Sequence, residues 1–286
     1  MTLPFVASDL DGTIVKNKDF KILDKTIEDI LNYQEKSGSK FFIVTGRVFA
    51  TSKVYINQLN VTLPVVGCNG AAIVDPITRE VLFEDVVKKE FSEKIIDFAK
   101  ENNLDLIFYT ATSIVGLNDS ERIVTFGESY KDLDSSLRPE MICFENLDEL
   151  KECVMNGIHK PVKYLFSFPL DGNDKIIDET IKFLNQLDLN CPTTKMGDRF
   201  LVDAMNNGIN KATGLQKWAE IMDVDINTIH TAGDNNNDIE MTEQSPFGCI
   251  VENGVENAKK IAKRVLKHIE DNGVGEYLRE LVDQNK

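Results

Sequence analysis

The sequence predicts an α/β protein: a doubly wound parallel sheet, interrupted by an inserted α+β lobe. Three observations carry this. Short apolar, β-branched runs alternate with amphipathic stretches from the first residues, as in sheets buried on both faces. That rhythm breaks after Asn69-Gly70 and resumes near Phe200. At 286 residues the chain exceeds a comfortable single core and suits two lobes.

In order, Leu3–Ser8 reads as a strand, Leu23–Lys36 as an amphipathic helix and Phe41–Val44 as a second strand. Val48–Leu59 is helical in pattern and Pro64–Cys68 reads as a third strand. Ala71–Val74 and Val81–Phe83 form a small hairpin around Asp75-Pro76. The insertion carries helices at Ser92–Asn102, Leu147–Asn156 and Lys175–Leu187. Its strands are expected at Leu104–Thr110, Ile114–Leu117, Val162–Phe168 and Leu189–Thr194. The first rhythm then resumes with strand Phe200–Ala204, helix Lys211–Met222, strand Ile229–Ala232, helix Asp238–Glu243 and strand Phe247–Val251. The expected domains are therefore a discontinuous core, 1–83 and 200–286, and a cap, 84–199.

Composition narrows the function. Hydrophobic residues at 42% and charged residues at 28% fit an ordinary globular protein. A formal charge of −15 argues against nucleic acid and against anionic membranes, because phosphate backbones are bound by Lys and Arg. There is no signal-peptide pattern and no apolar run long enough to span a bilayer. Five scattered cysteines without a CxxC pair fit reduced thiols, so the expected location is cytoplasmic. Nothing in the pattern specifies an oligomer.

In parallel α/β sheets ligands bind at the carboxyl ends of strands. Four segments fall there. Asp9-Leu10-Asp11-Gly12-Thr13 follows the first strand. Like charges this close raise each other's pKa unless a cation or hydrogen bonds hold them ionised. The alternative is a simple Asp-Gly turn, but the polar stretch through Asn17–Asp19 does not alternate like a return strand. Thr45-Gly46-Arg47 ends the second strand, offering a hydroxyl and a close backbone approach for an oxyanion; a strand-to-helix cap is the plain reading. Asn210-Lys211 opens a helix, where a lysine opposes the dipole; a solvated lysine is the alternative. Thr231–Asp238, dense in carboxylate and amide oxygens, suits a hard cation such as Mg²⁺. An EF-hand fails there, since Ile239 replaces the glycine and Ser245 the bidentate Glu.

Taken together, the DxDGT, TGR, Lys and GDxxND segments resemble the haloacid dehalogenase (HAD) superfamily of phosphohydrolases. An insertion after the third strand resembles its Cof-type branch with a large α+β cap, as do Asn69-Gly70-Ala71 and Asn272-Gly273-Val274. One departure is Val251-Glu252-Asn253-Gly254, where the family often has a Gly-Asn-Ala turn. The resemblance implies that Asp9 is the nucleophile and Asp11 the general acid and base. It implies that Mg²⁺ is held by Asp9, the Asp11 backbone, Asp234, Asn237 and Asp238. Thr45, Gly46 and Lys211 would bind the phosphoryl group. Arg47, Asn69 and Arg199 are candidates for substrate contact. The cap cations Arg122, Arg138, Lys160 and Lys195 could also reach a substrate, or could be solvated surface charges. The implied activity is Mg²⁺-dependent hydrolysis of a small, sugar-phosphate-like metabolite. A phosphomutase and a non-catalytic phosphometabolite-binding protein remain alternatives.

Overall fold

The computed structural model describes residues 2–16 and 21–285. The expected polar stretch at Asn17–Asp19 lies outside the described residues. The chain divides into two compact units. The first is Met1–Arg47, Ser52–Leu82 and Asn210–Lys286; the second is Val48–Thr51 and Phe83–Ile209.

The first segment runs β1 (Phe5–Ser8), α1 (Asp24–Ser37), β2 (Phe41–Ile43), α2 (Phe49–Gln58), β3 (Val65–Gly67), β4 (Ala72–Val74) and β5 (Val81–Glu84). The insertion follows with α3 (Lys89–Glu101), β6 (Leu106–Tyr109), β7 (Ile114–Leu117), α4 (Glu121–Tyr130), β8 (Met141–Phe144) and α5 (Leu147–Met155). It continues with β9 (Lys163–Pro169), α6 (Asp174–Gln186), β10 (Leu189–Asn190), β11 (Thr193–Met196) and β12 (Arg199–Asn206). The chain then returns through α7 (Lys211–Met222), β13 (Ile229–Gly233), α8 (Ile239–Gln244), β14 (Phe247–Val251), α9 (Glu256–Ile261), β15 (Arg264–Leu266) and α10 (Gly273–Gln284).

In the first unit the sheet order is β15-β14-β13-β1-β2, and every pairing is parallel. Its strands are nearly all buried because helices cover them: α1 packs on α10, and α7 on α8. Trp218 of α7 stacks on Phe42 of β2 with centroids 3.9 Å apart, and its indole N–H donates to Pro64 O at 2.8 Å. That fully buried contact fixes the helix whose first residue is Lys211. Helix α7 also runs close to the turn after β3. A Cβ on Gly214 would strike the Gly70 backbone, and Gly70 itself, at φ +101°, faces Asn210 O. Only glycines allow that approach.

The third expected strand differs in its partners. β3 pairs antiparallel with β4 in a small sheet with β5, and meets β2 through the single parallel bridge Val44↔Val66.

The second unit is an antiparallel-rich sheet ordered β10-β12-β9-β6-β7-β8, with β11 also paired to β12 on the flank away from β9; β7 and β8 run parallel. One face buries Phe108, Tyr164, Phe166, Phe168 and Val202 against Ile95, Ile96, Leu150, Ile177 and Leu184 from α3, α5 and α6. Here the expectation at Phe200–Ala204 is corrected. These residues do not resume the parallel sheet but lie in β12, paired antiparallel with β9 along Arg199–Ala204. A fully buried strand looks alike in either sheet by composition, and its pairing is set by distant residues. The return to the first unit comes at Asn210, about ten residues later than the sequence pattern suggests.

Candidate active site

Because β1, β2 and β13 are parallel neighbours, the residues leaving their carboxyl ends share one edge. Asp9 follows β1, Thr45 lies just beyond β2, and Asp234 follows β13. Asp9 N–H donates to Ala232 O at 2.9 Å, so the backbone carries the β1–β13 pairing into the turn after β1.

Three carboxylates meet there. Asp9, Asp234 and Asp238 each offer an oxygen, all within 4.8 Å of one another. Lys211, 1% exposed, places Nζ 2.7 Å from Asp9 Oδ1 and 2.7 Å from Asp238 Oδ1. Both Asp238 oxygens carry hydrogen bonds: Oδ1 accepts from Lys211 Nζ, and Oδ2 accepts the backbone N–H groups of Asp234 and Asn235 at 3.0 Å each. Asp234 Oδ1 accepts the Thr13 hydroxyl at 3.0 Å.

The electrostatics follow from burial. Desolvation raises the Asp9 carboxyl well above its ordinary range; Lys211 opposes this, while Asp238, Asp234 and Asp11 add to it. Burial, then Asp238, push Asp234 up to about 7, against Lys211 and the Thr13 hydrogen bond. Burial alone would lower Lys211, but Asp238 and Asp9 outweigh it and hold the ammonium charged. Three buried carboxylates thus face one buried ammonium. An oxygen-ligated divalent cation fits that excess and would reverse the upward shifts of Asp9 and Asp234. The donor set suits it, with Asp9 and Asp234 as the carboxylates still offering free oxygens.

Glycine geometry keeps the pair close. Gly12 sits at φ +86°, and a Cβ there would collide with the Asp234 carboxylate. The departure at 251–254 still serves the site. Asn253 Nδ2 donates to Gly12 O at 2.7 Å while its Oδ1 accepts Ile269 N–H at 2.9 Å, and Val255 N–H donates to Asp234 O at 2.8 Å. Thr13 and Asn253 were not among the sequence candidates; Thr13 was signalled only by its place inside DxDGT.

The remaining candidates fall as follows. Thr45 is buried and its hydroxyl accepts Arg47 N–H at 3.2 Å. A Cβ on Gly46 would lie 2.9 Å from Asn69 Oδ1. Asn69, left-handed at φ 55°, accepts the Asn237 amide at 3.0 Å, so these two side chains engage each other. Arg47 grips Asp11 with a two-pronged fork, Nε to Oδ2 and Nη2 to Oδ1 at 2.6 Å each. Arg199 lies in the second unit, where it donates to the Ser167 hydroxyl and carbonyl at 3.0 Å and pairs with Glu121. Lys160 pairs with Glu84 at an exposed site, Arg138 donates to Leu133 O, and Lys195 is exposed.

Comparison with known proteins bears on this constellation. The family model for haloacid dehalogenase-like hydrolases matches residues 6–278. The chain belongs to that family. Among HAD-like relatives, the 5-amino-6-(5-phospho-D-ribitylamino)uracil phosphatase YitU of Bacillus subtilis strain 168 is 27% identical over 290 residues, covering 98% of each chain. The pyridoxal phosphate phosphatase YbhA of Escherichia coli K12 is 24% identical over 278 residues, covering 97% of this chain and 98% of its own. A HAD-like hydrolase from Bacteroides thetaiotaomicron shares the fold with TM-score 0.80 at 20% identity, covering 98% and 100% of the two chains. A HAD/COF-like hydrolase from Plasmodium vivax superposes with TM-score 0.79 at 22% identity, covering 99% and 96%. As a HAD-like enzyme with end-to-end phosphatase relatives, the chain is a phosphoric monoester hydrolase. No helix among the described residues is long and apolar enough to cross a membrane.

Proposed function

We propose that this HAD-like hydrolase is a Mg²⁺-dependent phosphatase that dephosphorylates small, sugar-phosphate-like metabolites through an aspartyl-phosphate on Asp9. The observation that carries the reading is the buried cluster in which Lys211 is shared at 2.7 Å by Asp9 and Asp238, with Asp234 beside them. Relatives named for small phosphate esters support the substrate class.

In this reading an ionised Asp9 oxygen attacks phosphorus, and the bond from phosphorus to the ester oxygen breaks. Asp11 protonates the departing alkoxide, then takes a proton from the water that hydrolyses the acyl phosphate. Phosphate leaves and the Asp9 carboxylate is restored. Lys211, the Thr45 hydroxyl and backbone N–H groups around Gly46 stabilise the charge that builds on the phosphoryl oxygens. Asp9, the Asp11 carbonyl and Asp234 would hold Mg²⁺, which supplies positive charge that keeps the carboxylates ionised. Asp238 orients Lys211 and the 234–235 backbone through its two oxygens. Arg47 holds Asp11 in place, and Asn237 braces Asn69.

The test is phosphate release from a panel of small phosphomonoesters with Mg²⁺, comparing the wild type with Asp9→Asn. Turnover that requires Mg²⁺ and vanishes in the variant is expected. Undiminished turnover by Asp9→Asn overturns the aspartyl-phosphate route. A hexose phosphate isomerised without phosphate release points to the mutase instead.

A further inference from the structure

Asn253, in the loop after β14, is exposed, so core packing does not account for it. Both ends of its amide are nevertheless committed to backbone groups elsewhere in the chain. Nδ2 donates to Gly12 O at 2.7 Å, and Oδ1 accepts Ile269 N–H at 2.9 Å. The Ile269 end is firmly held. The one-turn helix Ile269–Asp271 closes at Asn272, which is buried and left-handed at φ 61°. The Asn272 amide donates to Asp29 Oδ2 at 2.7 Å, and its Oδ1 accepts the Thr26 hydroxyl at 2.8 Å, both on α1. Two segments without a task in the chemistry, Val251-Glu252-Asn253-Gly254 and Asn272-Gly273-Val274, are thus linked to one carbonyl, that of Gly12.

What that carbonyl controls follows from peptide geometry. Gly12, at φ +86°, has no Cβ to restrict the two peptide planes it joins, so both need fixing from outside. The plane before it is set by Gly12 N–H, which donates to Val15 O at 3.0 Å. In a trans peptide the carbonyl lies opposite the N–H, so the Asp11 carbonyl turns away from Val15. It accepts no hydrogen bond among the described residues. The plane after Gly12 is held by Thr13 N–H, which donates to Leu10 O at 3.2 Å, and by Asn253 on its carbonyl side. The same loop reaches the neighbouring turn. Val255 N–H donates to Asp234 O at 2.8 Å, and a Cβ on Gly254 would stand 2.8 Å from that oxygen. One loop therefore braces the turn after β1 and the turn after β13 together.

We propose that Asn253 is a positioning residue for the divalent cation: by holding the Gly12 carbonyl it fixes the turn that presents the Asp9 carboxylate and the Asp11 carbonyl beside Asp234. The inference rests on the Mg²⁺ reading above and adds to it a residue that acts through backbone rather than as a ligand.

The test titrates Mg²⁺ into the substrate-free full chain and follows the melting temperature. Asn253→Ala should raise the half-saturating Mg²⁺ concentration about 10–100-fold, the usual effect of losing a group that orients a ligand. In chelator its melting temperature should stay close to wild type, because the residue is exposed. Gln34→Ala is the control for a purely structural loss. It removes a buried amide that bridges Phe41 N–H and the Asn60 carbonyl, at the other end of β2 from Thr45. It should melt lower with its Mg²⁺ half-saturation intact. A half-saturation for Asn253→Ala equal to wild type, or matched by Gln34→Ala, overturns the proposal. A large drop in the chelator melting temperature of Asn253→Ala does the same, because it makes the residue structural. So does a higher substrate KM at saturating Mg²⁺ with metal affinity unchanged, which assigns Asn253 to substrate binding. A wild type whose melting temperature ignores Mg²⁺ overturns the metal reading itself and this inference with it; the other failures leave that reading standing.

Discussion

Replacing Lys211 by Met removes the one ammonium among three buried carboxylates while keeping much of the side-chain volume. Both contacts are short, 2.7 Å to Asp9 and 2.7 Å to Asp238, and the residue is 1% exposed, so solvent cannot take over. Removing one partner of a buried ion pair costs about 3–5 kcal/mol, because the other charge stays behind unpaired. At roughly 2–4 °C per kcal/mol in larger domains, the metal-free protein should melt some 6–20 °C lower. Thermal unfolding in chelator reads this directly. Added Mg²⁺ should recover part of the loss, since a cation near Asp9 and Asp234 replaces some of the missing charge. Turnover should fall about 10²–10³-fold, the usual effect of losing one preorganised donor. Combining Lys211→Met with Asp9→Asn should cost less than the sum of the two, by more than about 0.5 kcal/mol, because the residues are in contact. A metal-free loss below about 1 kcal/mol, the range of a solvated pair, would refute the clamped geometry.

Other outcomes follow from the same cluster. Asp9 and Asp234 titrate higher folded than unfolded, so the folded protein holds more protons between the ordinary carboxylate value of 3.8 and about 7. Metal-free stability should therefore fall as pH rises through that window, and saturating Mg²⁺ should flatten the slope. His230, lowered to about 4 by burial, contributes in the opposite direction below its ordinary value of 6.5, so calorimetry is cleanest above 6.5. Gly12→Ala combines a left-handed backbone costing about 1–2 kcal/mol with a collision at the Asp234 carboxylate. It should weaken Mg²⁺ activation, and an unaltered Mg²⁺ titration would refute the contact. Arg47→Ala frees Asp11 and should slow alkyl phosphates more than activated aryl phosphates, with Arg47→Lys between; equal slowing of both would separate Arg47 from proton transfer.

Much of the site was legible because its residues follow strand ends, and a parallel sheet converts that register into proximity. Asp9, Thr45, Lys211 and Asp234 needed only the order of elements. What the pattern could not supply was which partner each side chain takes. Arg47 reads equally well as a substrate contact or as the fork on Asp11, and Asp238 as a ligand or as the brace of Lys211. Among elements, α4 was missed because Val124 and Thr125 are β-branched and Gly127 interrupts the helix, which weakens its propensity. β15 is three residues long and half solvated, too short for a period to show. β12 was seen but placed in the wrong sheet, because partners lie far away in sequence. Arg122, expected on the surface or at a substrate, is buried with its guanidinium over the Phe126 ring, and burial of a lone arginine leaves no trace in spacing.

The position of β1 at the inside of the sheet has a consequence for synthesis. One neighbour, β2, emerges from the ribosome soon afterwards, but the other pairs Phe5 with Ile229. At about 5–20 residues per second, roughly 10–45 s separate the translation of those two strands. During that interval β12 has already been made and can close on β9, so the inserted unit can finish folding while β1 still has an open flank. The apolar Phe5–Ala7 edge is then an aggregation hazard on the nascent chain until its partner strand arrives. Asp9 and Asp234 come together only when that flank closes, so the carboxylate repulsion is imposed on a chain that is already largely built.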